Sequence, residues 1–350
     1  MKNISNRRPR RPTIKDVAQE AGVGVATVDR VLNGRLPVRE QTASRVFEAA
    51  KALGYHATGL IAKRVEASLP RYRLGILLQK HDRSFYQIVG ETFSQVCRSF
   101  YGANVNCEID FVTESTPAAI GEKLKTLAFR NQAIAMVAPD HPGMTSEVEA
   151  LQQRGIPVFS LLSDFAPGLR AGYVGLNNSQ VGRTAAWMIA RAARGPGKVA
   201  CFIGSHRFHG HELREIGLRS YFREEAPDFE VLETMVNLDT PEVTQEATIN
   251  LVRRHKDLVG IYVSGGGMEG ALAALREENM AGKLGLVINE QTLPGRQALA
   301  DNIATAMIAV PVQQFAQETV RLMVEAIDHG PTGVPSQTFL PIGLFIAESI

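Results

Sequence analysis

Apolar residues recur at helical spacing near the start of the chain. Ile14, Val17, Ala18 and Ala21 fall on one face, the i, i+3, i+4, i+7 pattern of an amphipathic helix. "TIKD" (13–16) opens this run and reads as a capping box. Thr13 accepts from an early backbone N–H, and Asp16 reaches back and favours the positive helix end. A glycine in "AGV" (21–23) breaks the helix. A second, shorter helix follows with Val28, Val31 and Leu32 inward, and "NG" (33–34) ends it. A third runs from about Arg39 to Leu53 with Val46, Ala49, Ala50 and Leu53 inward, and Gly54 stops it. Two short helices across a glycine turn, closed by a third, make a helix-turn-helix. With Val28, Val31 and Leu32 buried, the outer face of the second helix carries Val25, Ala26, Asp29, Arg30 and Asn33.

From Tyr72 onward the pattern changes to short apolar runs separated by helical stretches. The strand candidates are 73–78, 104–112, 133–139, 156–162, 173–176, 198–204, 260–265, 284–289 and 303–310. Helical runs lie between them, for example at 84–101, 115–130, 144–154, 178–194 and 267–280. This α/β alternation predicts parallel sheets covered on both faces. There are too many strands for one compact unit, so two doubly wound lobes are expected.

Composition sharpens the division. The 350 residues are 45% hydrophobic and 21% charged, a globular balance with room for two or three domains. Net charge is only +2, but residues 1–70 hold thirteen Lys and Arg against six Asp and Glu, and the remainder is net acidic. A basic head on an acidic body points to a polyanion met at one end. For "NRRPRRP" alone, a solvated tail is the plain alternative. No apolar run approaches the roughly 20 residues that cross a bilayer, and no apolar core follows the N-terminal charges. No membrane role is therefore expected. Cys97, Cys107 and Cys201 lack CxxC spacing and read as core thiols of a reducing compartment.

The segment "TIKDVAQEAGVGVATVDRVLNGRLPVREQTASRVFEAAKALGY" (13–55) resembles the DNA-binding head of the lactose-repressor (LacI) family of bacterial transcription regulators. The blocks "TIKDVA", "AGV", "RVLN" and "LGY" carry the match. The resemblance implies that Val25, Ala26 and Arg30 contact base edges. Arg30 can fork onto guanine, and Val25 and Ala26 make apolar contacts. Thr27, Asn33 and Arg35 fit phosphate-positioning roles, with Thr13 at the start of the first helix. Where the family has serine, this chain has Gly24, Asp29 and Arg39. Asp29 either accepts from a cytosine amine or orients a basic neighbour such as Arg30 or Arg35. The expected domains are a basic tail (1–12), the head (13–57) and a hinge (58–71). In the family, paired hinge helices push a side chain into the minor groove; Val65 is the expected wedge, with Arg64 as competitor.

The remainder, 72–350, resembles the family's periplasmic-binding-protein type I ligand domain through "VAPDHP", "IPVFSLLSD", "YVGLNNSQVGRTAA", "HELREIGLRSYF", "YVSGGGMEG" and "VINEQT". That fold crosses between lobes three times, placed near Gly175, Met307 and Gly330. Lobe 1 is then about 72–174 with 308–330, and lobe 2 about 175–307 with 331–350. Ligand is expected at the carboxyl ends of the strands, held by Phe85, Tyr86, Asp164, Arg214 and Glu290. Carboxylates facing an arginine suit vicinal hydroxyls, hence a sugar, polyol or sugar acid. Asn177 and "SGGGMEG" depart from the family pattern, which leaves the ligand's identity open.

Neither cofactor nor metal is expected. "GGGMEG" lacks a phosphate-loop ending, and "GSHRFHGHE" (204–212) gathers three histidines in one loop without a second ligand cluster. No nucleophile elbow or HExxH is present, so catalysis is not expected. The resemblance implies a cytoplasmic, nucleoid-associated regulator, with repression the family expectation. It acts as a homodimer on double-stranded operator DNA and is controlled by a small molecule.

Overall fold

The structure, a computed structural model, describes residues 11–33, 38–61, 69–330 and 336–350. Three helices form the head: α1 (Ile14–Ala21), α2 (Val25–Asn33) and α3 (Glu40–Ala52). The capping box at Thr13 is present, with Thr13 N donating to Asp16 Oδ2 at 2.6 Å. Gly22 ends α1 in the left-handed region (φ 62°), where a side chain is costly. Arg45 of α3 donates through Nε to Ala21 O at 3.2 Å and through Nη2 to Gly22 O at 3.1 Å. It satisfies carbonyls that the end of α1 leaves open. Val17, Val28, Val46 and Ala50 are fully buried and form the shared core with Tyr55 and Ile61. Past Gly54 the chain is helical again from Thr58 to Ile61.

The body holds two sheets. The first orders its strands β12-β5-β4-β3-β1-β2, from β1 (Arg71–Gln79), β2 (Asn104–Val112), β3 (Ala133–Met136), β4 (Val158–Leu161), β5 (Gly172–Gly175) and β12 (Ser336–Phe339). Helices α4 (Ser84–Arg98), α5 (Pro117–Arg130) and α6 (Pro142–Gln153) connect the first strands, and α12 (Val312–His329) leads back to β12. The second sheet orders β13-β11-β10-β9-β6-β7. It is built from β6 (Lys198–Ile203), β7 (Glu230–Val231), β9 (Leu258–Val263), β10 (Gly285–Asn289), β11 (Ala306–Ala309) and β13 (Gly343–Phe345), with β8 (Met235–Val236) also on β6. Its helices are α7 (Asn178–Ala192), α8 (His209–Glu225), α9 (Pro241–Arg254), α10 (Met268–Glu277) and α11 (Leu293–Ala300). Central strands such as β3, β4, β10 and β11 are buried along their whole length, as sheets covered on both faces require.

Two of the expected crossings move. Met307 lies inside β11, paired with Ile288 of β10, so the chain leaves lobe 2 only after Ala309. Residues 336–339 were expected in lobe 2, but they pair in parallel with 172–175 of lobe 1. The third crossing therefore follows Phe339, and β13 then pairs antiparallel to β11. Arg170 explains the placement: it is almost fully buried and donates from Nη1 to Ser336 O at 2.9 Å. Cys97 and Cys107, ten residues apart, are spatial neighbours and are free thiols.

Candidate functional site

The head's expected DNA face is solvent-accessible. Val25, Ala26, Arg30 and Asn33 are exposed, and Thr27 and Asp29 are half-buried. Asp29 has a partner that sequence reasoning missed. Asn33 Nδ2 donates to Asp29 Oδ1 at 2.7 Å, one turn along α2. Asp29 thus orients an amide rather than a guanidinium among the described residues. Gly24 precedes α2, and its carbonyl accepts from Thr27 N and Val28 N. It offers no side-chain cap, as its departure from serine implied. Arg35, Arg64 and Val65 lie outside the described residues.

In the body, strands of both sheets end at one cavity between the lobes, where about 80 Å³ is open to the centre of a water molecule. Four of the five expected ligand residues line it: Phe85, Tyr86, Arg214 and Glu290. Phe85 and Tyr86 begin α4 and meet edge-to-face with centroids 5.3 Å apart. Burial drives the Tyr86 hydroxyl pKa upward, with the Glu290 and Asp239 carboxylates adding to it, so it stays a neutral donor.

Arg214 projects from α8 and is braced on two sides. Nε donates to Asn178 Oδ1 at 2.8 Å, and Nη1 donates to Ser264 O. The "R-x-x-G" spacing has a packing cause. A Cβ on Gly217 would stand 2.1 Å from Ser179 O, and one on Gly182 would stand 1.9 Å from Arg214 O. The two glycines let α7 and α8 touch backbone to backbone. Asn178 of α7 therefore comes within reach of Arg214.

Asp164 is a correction, because it does not line the cavity. Its carboxylate takes Arg170 Nε and Nη2 at 2.5 and 2.7 Å and the Ser160 hydroxyl at 2.7 Å. Burial pushes its pKa up, but the bonds from Arg170 and Ser160 outweigh that and leave it below the usual carboxylate range. With Arg170 it ties β12 to lobe 1, a structural task.

Several lining residues were not expected as ligand contacts. Lys80 and Arg83 come from lobe 1, and Asp239 and Asn289 from lobe 2. All follow or end a strand, which is where an open α/β sheet presents its site. Asp239 was obscured because β8 before it is only two residues long.

The glycine run explains how these groups fit. A Cβ on Gly265 would meet Asp239 Oδ1 at 2.8 Å and His211 Nε2 at 2.9 Å, and one on Gly266 would meet Arg83 Nη1 at 3.0 Å. Gly267 has φ 90°. Gly266 N donates to Asp239 Oδ1 at 2.8 Å, and Asn237 Nδ2 donates to Gly266 O at 2.9 Å. The bare loop gives up side chains so that Asp239, His211 and Arg83 can converge.

The three histidines expected in one loop are divided, because His209 and His211 open α8 and only His206 precedes it; His206 and His209 turn to Glu215 and Glu212. His211 lines the cavity, and its Nδ1 accepts from Ser205 N at 3.4 Å. Burial lowers the His211 pKa to about 4, against the pull of Asp239, so the ring is neutral at pH 7. Glu290 is shifted the other way. Burial first, then repulsion from Asp239, raises it to about 8, with Arg214 opposing.

Four cavity-lining residues other than glycine have positive φ: Lys80 (32°), Leu162 (62°), Asp239 (55°) and Glu290 (75°). Such conformations cost roughly 1–3 kcal/mol each and concentrate where function holds them.

Residues 13–58 match the bacterial regulatory proteins of the lacI family, and residues 74–331 match a periplasmic binding protein domain. The chain belongs to the lacI family of bacterial regulatory proteins. It is a regulator and not an enzyme, as the sequence implied. It is 25% identical over 327 residues to the HTH-type transcriptional regulator GalS of Salmonella typhimurium, covering 89% of each chain. It is 24% identical over 344 residues to the sucrose operon repressor of Streptococcus mutans, covering 96% of this chain and 99% of that one. The body shares its fold with GanP, a glucose-galactose binding protein from Geobacillus stearothermophilus. There the TM-score is 0.73 at 16% identity, over 80% of this chain and 99% of that one.

Proposed function

We propose that this lacI-family regulator is a repressor that acts as a dimer on a near-palindromic operator and is controlled by a small polyhydroxylated metabolite held between its lobes. The observation that carries this reading is the cavity at the strand ends. Both lobes supply its polar lining, and Arg214 is held there by Asn178 and Ser264 with Nη2 unpartnered among the described residues. Two relatives named as sucrose operon repressors support repression and a sugar-like effector.

In this reading Thr13, Val25, Ala26, Thr27, Asp29, Arg30, Asn33 and Arg35 form the DNA face. Residues 58–71 act as the hinge, with Val65 as its wedge. Ligand favours one lobe arrangement, and that choice lets the hinges pair on DNA or releases them. The protein acts where the chromosome is, in the cytoplasm.

The test is a gel-shift with DNA upstream of neighbouring genes, at moderate salt, with and without candidate sugars and sugar acids. Specific retardation that a candidate relieves or strengthens is expected. Arg30→Ala should lose sequence preference by about 1–3 kcal/mol, the worth of a forked guanine contact. Binding of unrelated DNA with equal affinity would reject the reading.

A further inference from the structure

The cavity collects three cations, Lys80, Arg83 and Arg214, against two acids, Asp239 and Glu290. Lys80 is already engaged. Its Nζ donates to Leu238 O at 2.9 Å and stands 4.0 Å from Asp239 Oδ2. That pair balances itself. Arg83 stands apart: its guanidinium makes no hydrogen bond or ion pair with any described residue. It nevertheless lies against lobe 2, where the bare Gly266 leaves room for Nη1. Arg214 also keeps Nη2 without a partner among the described residues. Glu290, largely protonated at neutral pH, offsets little of this charge.

The backbone adds to the imbalance. Both α4 and α8 begin at the cavity, where Phe85, Tyr86, Gly210 and His211 line it, and helix N-termini carry a partial positive charge. The Asp239 carboxylate is occupied by Gly266 N and Lys80. Unbalanced guanidinium groups in a partly desolvated site are costly, and a neutral sugar would leave them so. A carboxylate or phosphate matches an arginine fork with two charge-assisted bonds. Neutral acceptors and donors are also at hand. Asn289 lines the cavity beside the buried Tyr262 hydroxyl, and its Oδ1 makes no hydrogen bond of ordinary geometry with a described residue, so a ligand hydroxyl can satisfy it. The open space is small, about 80 Å³, and suits a short ligand.

We infer that the effector is an acid, a short polyhydroxylated molecule whose single carboxylate or phosphate sits between Arg83 of lobe 1 and Arg214 of lobe 2, with its hydroxyls on Asn289 and Glu290. This rests on the effector reading given above. It makes Arg83 the residue that separates acids from neutral sugars, and it places the anion across the gap that closes.

The experiment is calorimetric titration of the full-length protein with pentoses and hexoses, their aldonates and uronates, and their phosphates. D-glucose, D-gluconate, D-glucuronate and D-glucose 6-phosphate are one such set. At least one acid should bind about tenfold or more tighter than its neutral parent, and its affinity should fall with added salt. The carboxylate and phosphate arms tell which anion fits. Arg83→Gln, checked for an unchanged melting temperature, should reduce that preference to about threefold or less. A neutral sugar that binds as tightly as its acids would overturn the inference yet leave the effector reading standing, as would an Arg83→Gln protein that keeps the full preference. Operator binding with no response to any member of the panel would overturn both.

Discussion

Two residues of the cavity, Glu290 and His211, make opposite demands on a proton, and their signs can be worked out. Glu290 titrates near about 8 in the folded chain but near ~4.3 when unfolded. Its contribution is full below the unfolded value and is lost as pH rises through about 8. His211 titrates at about 4 when folded and near ~6.5 when unfolded. Its contribution is present above ~6.5 and is lost as pH falls toward 4. Between pH ~4.5 and ~6.5 the two slopes oppose each other. Above ~6.5 only Glu290 acts, so its contribution to stability should fall toward pH 8 by at most ~1.4 kcal/mol per pH unit. The side chain is partly open to solvent, which lowers that figure. Glu290→Gln should therefore flatten the decline in melting temperature between about pH 6.5 and 8, relative to wild type, in scanning calorimetry of the ligand-free protein. Parallel curves for the two proteins would show that Glu290 titrates as an ordinary carboxyl. The same scale settles what Asp29 does locally. Its oxygen holds the Asn33 amide, so Asp29 sets the direction of a neighbour one turn along α2; on the proposed DNA face, that pairing makes an acid tolerable.

At the scale of elements, glycines decide where the side chains of the site go. Gly217 is the clearest case, since a Cβ there would stand 2.1 Å from the Ser179 carbonyl, a backbone atom that cannot move away alone. Gly217→Ala should separate α8 from α7, cost about 1–3 kcal/mol as an overpacked contact and weaken ligand binding through Arg214. Titration with the tightest acid of the panel, alongside a thermal melt, checks this. Loss of stability without loss of affinity would mean that Arg214 is placed by something other than this contact. The elements themselves were legible because their signals are local. Thr13, Gly22 and Gly54 punctuate the head as the caps predict, and nine apolar runs became strands. What was hidden depends on partners far away in the chain. Residues 336–339 alternate half-buried and exposed positions, and only pairing with β5 places them in lobe 1. Asp164 looked like a ligand acid because it follows a strand, and Arg170 six residues on takes it out of the cavity. Lys80 and Arg83 carry no pattern at all in sequence. Their role comes from facing the glycine loop of the other lobe.

At the scale of the whole chain, the question is what holds the two lobes of the body together. Among the described residues, the hydrogen bonds across the gap are mostly neutral: Asp140 N to Arg207 O at 2.9 Å, Gly210 N to Ser163 Oγ at 3.0 Å, and Asn178 Nδ2 to Leu162 O at 3.1 Å and to the Tyr173 hydroxyl at 3.2 Å. Lys80 adds its bond to Leu238 O and a 4.0 Å ion pair to Asp239, with both side chains about a quarter exposed. Pairs of that kind contribute about 0–1 kcal/mol. A latch that weak biases closure without enforcing it, so the ligand must supply the rest by bridging Arg83 and Arg214. The arithmetic separates a latch from a ligand contact. Removing up to ~1 kcal/mol of closed-state preference weakens apparent affinity by about fivefold at most, whereas truncating a charged ligand contact costs about 2–5 kcal/mol. Lys80→Ala should therefore bind the tightest acid only about two- to fivefold more weakly than wild type. X-ray scattering should show a larger ligand-free radius of gyration and an unchanged liganded one. A loss of a hundredfold or more would move Lys80 from the latch to the ligand. The anion would then lie nearer lobe 1 than the Arg83–Arg214 bridge places it.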